Sequence, residues 1–105
     1  MATNAEVVTQ LEASKDVLQA QCNAASGAQV LQLMTLVHQL ADEIGNIEAQ
    51  ALDDADYVPQ SDCFKKETDD AKAFLKTLES VKSAFAAADQ VAKAVDTVIG
   101  IISKL

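Results

Sequence analysis

Apolar residues recur every third or fourth position through three stretches of the chain, and that spacing is helical. The first stripe reads Val7 or Val8, Leu11, Ser14, Leu18 and Cys22. The second reads Val30, Leu33, Val37, Leu40, Ile44, Ile47 and Ala51, and the third Phe64, Ala71, Phe74, Leu78, Val81, Phe85 and Ala88. Each stripe puts an apolar seam along one side of an α-helix and asks for another helix to cover it. The pattern predicts an all-α fold, an antiparallel helical bundle built as a single domain over residues 1–105.

Cap and turn residues set the expected limits. Thr3-x-x-Glu6 fits a capping box, in which hydroxyl and carboxylate satisfy free amides at a helix start; the first helix is expected over 4–23. Ser26-x-x-Gln29, with Asn23 and Gly27 as turn residues, opens a second helix over 27–54. Gly45 falls inside it, at a cost of about 1 kcal/mol relative to Ala, and reads as a tolerated glycine or a slight kink. Asp56–Ser61 is the clearest break: Pro59 is the only proline, it forces extended geometry on Val58, and Ser61 is a suitable N-cap.

No breaker follows until Gly100. The stripe slides by one position to Ala84, Ala88, Val91, Val95, Val98, Ile102 and Leu105. A short reversal without glycine is hard to build, so the spacing predicts one long third helix over 62–103, bent near Asp89; a full break there gives four helices. At 1.5 Å per residue the second helix is about 40 Å long and the third about 60 Å. Antiparallel packing then leaves residues 91–105 overhanging the bundle. Val91, Val95, Val98, Ile99, Ile102 and Leu105 are the expected self-association residues, and a homo-oligomer is the simplest outcome.

Charge changes the picture of partners. The net charge is −8, and residues 1–60 carry nine acids against the single Lys15, whereas residues 61–105 carry seven acids and seven lysines. There is no arginine, the preferred group for bidentate phosphate and base contacts, so nucleic-acid binding is not expected. Asp42, Glu43, Asp53, Asp54 and Asp56 form the expected acidic partner surface, suited to a basic protein. Acids at the end of the second helix oppose its dipole, which points the same way. The apolar runs, Val98–Ile102 among them, are too short to span a bilayer. No basic region followed by an apolar run opens the chain, and a cytoplasmic location is expected.

Candidate chemistry is sparse. Cys22 and Cys63 fall at opposite ends of the second helix, about 40 Å apart, and a disulfide needs Cα atoms within about 7 Å, so free thiols are expected. Cys63, at a predicted helix start, is expected to have some thiolate character. His38 and Asp42 make an i,i+4 pair, but the Glu-x-x-His motif of carboxylate-bridged metal bundles is absent. Asp54-x-Asp56 lacks the glycine and glutamate of a calcium loop. There is no phosphate-binding glycine loop, no Ser-His-Asp order and no clustered Cys/His spacing. No catalytic residue, cofactor or metal is expected.

These readings favour a non-enzymatic protein–protein interaction module that self-associates through its last helix and presents an acidic surface. One alternative is a small acidic inhibitor or immunity-type protein covering a basic active site. Another is a carrier of a small apolar ligand, since abundant Ala leaves room inside a bundle. In its acidic first half, and in Tyr57-Val58-Pro59-Gln60-Ser61-Asp62 between helices, the chain resembles small export-needle subunits, whose helical hairpin also ends in an aliphatic stretch like Val98–Leu105. The resemblance spans a turn and a composition, and no motif specifies a family.

Overall fold

Four α-helices build the bundle: α1 (Asn4–Ala24), α2 (Ala28–Glu48), α3 (Asp69–Ala84) and α4 (Asp89–Ser103). A 3-10 turn, Asp62–Phe64, lies in the long α2–α3 connection. The structure, a computed structural model, describes residues 2–85 and 87–103.

α1 packs against α2 and α4, and α3 against α2 and α4. The short links 25–27 and 85–88 make each joined pair antiparallel. Gln32 of α2 reaches Ser80 of α3 at 3.4 Å, so the end of α3 lies beside the start of α2. The result is an up-down-up-down arrangement with its long axis at 39 Å. The expected 60-Å helix does not form.

The local signals explain α1. Thr3 Oγ1 accepts from the Glu6 amide and the Glu6 side chain accepts from the Thr3 amide, completing the capping box. Its stripe is the predicted one: Val7, Leu11, Ser14, Leu18 and Cys22 are buried. α2 differs at both ends. Gly27 is its N-cap, at φ 75°, with no side-chain cap bond. The helix stops at Glu48 rather than Asp54, and Ala51 turns the chain at φ 53°. Its buried face is Leu33, Leu36, Leu40, Glu43, Ile44 and Ile47, with Val30 and Val37 only half-buried.

The predicted third helix is the main correction. It begins at Asp69, capped by Thr68, whose hydroxyl accepts from the Ala71 amide at 3.0 Å. Ser61 makes no cap bond. Phe64, in the 3-10 turn, stacks tilted on Phe74 at 5.3 Å between ring centroids. The helix then ends at Ala84. Phe85 leaves it at φ −114°, ψ 38°, and the Ala88 amide donates to the Phe85 carbonyl at 2.9 Å, closing the reversal without glycine at either residue. Burial explains the break. A continuous helix would leave the second stripe in water. Folding back buries Val91, Val95, Val98 and Ile102, each contributing about 1.5–3 kcal/mol. That outweighs the helix propensity of the Ala-rich stretch. Lys82 and Asp96 bridge α3 and α4 at 2.7 Å, an exposed pair contributing at most about 1 kcal/mol.

Candidate interaction site

The connection from Ala49 to Thr68 is held at two places, and both fasten it at the end of the bundle where α1 begins. At the first, main chain meets main chain. The Asn4 amide donates to the Ala55 carbonyl at 2.9 Å, the Ala5 amide to the Asp53 carbonyl at 3.1 Å, and the Tyr57 amide to the Ala2 carbonyl at 2.9 Å. The buried Asn4 side chain adds a bond from Nδ2 to the Leu52 carbonyl at 2.8 Å. With the Glu6 amide on Thr3 Oγ1 and the Thr3 amide on the Glu6 carboxylate, all four amides that a helix start leaves free are satisfied.

The second fastening is Glu43. Its side chain is fully buried. One carboxylate oxygen accepts from the Ser61 amide at 2.8 Å; the other accepts from the Gln60 amide at 2.9 Å and from the Tyr57 hydroxyl. Three donors replace the water a buried carboxylate loses. Burial first, then the Glu43 hydrogen bond and the Glu43 charge, push the Tyr57 hydroxyl far above its ordinary pKa. Glu43 was expected on the acidic partner surface. It is instead an internal brace, because it follows Leu40 by three residues and precedes Ile47 by four, on the buried face of α2.

Asp42, Asp53, Asp54 and Asp56 are exposed. The last three do not oppose the α2 dipole as expected. α2 ends before them, and the connection carries them to the start of α1, where the dipole favours negative charge. Leu52 and Val58, on the same braced segment, are 56% and 61% exposed. Sequence reasoning missed both, along with Asn4 and Tyr57. The available signal was an apolar residue on each side of a run of aspartates.

The expected self-association residues lie elsewhere. Val91, Val95, Val98 and Ile102 are in the core, Ile99 is half-buried, and Leu105 lies outside the described residues. The overhang that would have exposed them does not arise, because α4 folds back along α1.

Both cysteines are free thiols. Cys63 is not at a helix start, since α3 opens six residues later. Burial and the Asp70 charge push its pKa up, against a lowering by the Gln39 hydrogen bond, and Asp62 and Asp42 add to the rise. These surroundings favour the neutral thiol over the expected thiolate. His38 is exposed on α2 and lines a cleft of about 360 Å³ with Cys22, Val30, Met34 and Val37. Among the described residues, no group of three His, Cys, Asp or Glu side chains is placed to hold a metal ion, and no helix is long and apolar enough to cross a membrane.

No family model, curated protein or solved structure matches the chain.

Proposed function

We propose that this protein is a non-enzymatic interaction module that presents the braced 52–58 segment to a basic protein partner. One observation carries the reading: Leu52 and Val58 are more than half exposed on a segment whose backbone is tied to Ala2, Asn4 and Ala5 and whose Tyr57 hydroxyl is held by Glu43. A segment held in place before binding loses little conformational freedom on binding. Apolar anchors set among Asp53, Asp54 and Asp56 suit a partner with an apolar contact ringed by lysine or arginine. Association through α4 would require Val91, Val95, Val98 and Ile102 to leave the core, so the reading rests on the loop. The acidic-inhibitor reading uses the same surface, narrowed to Asp42, Asp53, Asp54 and Asp56 by the burial of Glu43.

A displayed peptide library tests it. The protein is the bait, and the triple variant Asp53→Asn, Asp54→Asn, Asp56→Asn is the counter-bait. Enriched peptides are expected to be basic with at least one large apolar residue, to lose binding to the variant, and to weaken as salt rises. Peptides that are neutral or acidic, or that bind both baits equally, would sink the reading.

A further inference from the structure

A different face of the bundle has a different composition. Although 23% of the chain is charged, no Asp, Glu, Lys or Arg occurs between Asp16 and Asp42. That interval is the last eight residues of α1, the turn, and the first two-thirds of α2. On its outer side Leu31 is 68% exposed and Met34 44%. Beside them runs the α1–α2 cleft of about 360 Å³, floored by Cys22, Val30 and Val37. Its polar members from α1, Gln19 and Asn23, are amides that both donate and accept; Gln19 already donates to Asn23 at 3.3 Å.

We propose that a second copy of this chain covers this face, with Leu31 of each copy seated in the α1–α2 cleft of the other. Charge selects the occupant. Each copy carries −8, and like charges set against each other across an interface cost several kcal/mol in the general case. Across residues 17–41 two copies would meet without opposing carboxylates, with the His38 imidazole also lining the cleft. A basic partner finds no carboxylate here. A two-fold contact must be self-complementary, and a protruding Leu31 beside an apolar cleft, edged by amides that serve as donor or acceptor, meets that condition. Loss of charge at the centre of the patch and the presence of Met are also the composition of interface cores. The acidic 52–58 segment, at the opposite end of the bundle from the α1–α2 turn, stays free in such a pair.

Sedimentation velocity and equilibrium on the full chain test this, with Leu31→Glu and Met34→Glu as variants and Val58→Glu as the control on the acidic loop. Leu31 and Met34 are exposed, so both variants are expected to keep the helical circular dichroism of the parent. The parent is expected to form a dimer whose dissociation constant rises at least about tenfold in each variant and is unchanged in the control. A chain that stays monomeric at about 1 mM, a dimer indifferent to both variants, or a dimer broken by Val58→Glu would each overturn the proposal. The acidic-loop reading is unaffected by any of the first two outcomes, because its peptide test reads a different surface.

Discussion

The hydroxyl of Tyr57 and the carboxylate of Glu43 meet inside the bundle, fourteen residues apart in the chain. Glu43 takes the Gln60 and Ser61 amides on the same carboxylate, so a single side chain fixes where the α2–α3 connection runs. Glu43→Gln keeps the size but turns one acceptor into a donor, which then faces an amide or a hydroxyl. A cost of about 2 kcal/mol is expected, and about 1 kcal/mol for Tyr57→Phe, which removes one donor of three. Urea unfolding measures both. Amide hydrogen exchange at Gln60 and Ser61 should quicken in Glu43→Gln beyond what the loss of global stability explains. Unchanged exchange there would mean that Glu43 is not the brace.

Alkaline pH tests the same contact from the other partner. The Tyr57 pKa is raised in the folded chain by burial and by Glu43, so above about pH 10, where a free tyrosine ionises, the unfolded state binds fewer protons than the folded one. Stability from this group is therefore complete below about pH 10 and falls as pH rises beyond it. Tyr57 is the only tyrosine, which lets tyrosinate absorbance report on one residue. Ionisation and unfolding should coincide in the parent. Tyr57→Phe should unfold at higher pH relative to its own neutral-pH stability. Tyrosinate forming in a still-folded chain near pH 10 would contradict the buried contact.

Gly45 lies inside α2, is exposed, and an added Cβ would meet nothing within 4 Å. No neighbouring helix needs the space, so the residue only weakens α2. Gly45→Ala should stabilise the protein by about 0.5–1 kcal/mol, read as a higher urea midpoint at constant slope. Destabilisation would show that α2 is not a continuous helix through this position.

What was legible in the chain was what is local. The Thr3–Glu6 capping box and the Val7–Leu11–Ser14–Leu18–Cys22 seam both depend on residues three or four apart, and both are as read. The break at Phe85–Ala88 was not legible, because Ala84–Ala88 has high helix propensity and no breaker; the reversal is decided by burial of Val91–Ile102 against α1, far away in sequence. Glu43 misled for a related reason. Carboxylates are seldom fully buried, and its three donors come from residues 57–61, beyond any helical period. The site itself was half visible: Asp53, Asp54 and Asp56 stood out, but their placement at the start of α1 rests on backbone bonds to Asn4 and Ala5 that no side-chain pattern encodes.

The reversal makes α4 part of the core, and its removal tests that directly. Val91, Val95, Val98 and Ile102 are at most 2% exposed. At about 1.5–3 kcal/mol each, their joint loss is on the order of 6–12 kcal/mol, comparable to the whole stability of a domain, about 5–15 kcal/mol. It would also uncover the side of α1 that α4 packs against. A chain ending at residue 88 should therefore lose cooperative thermal unfolding by circular dichroism, with helical signal reduced by more than the missing residues account for. Had α4 been an overhang, the same truncation would stay folded and only lose its partner. A folded, monomeric truncation of a dimeric parent would thus return association to Val91–Ile102 and remove the case for the α1–α2 face.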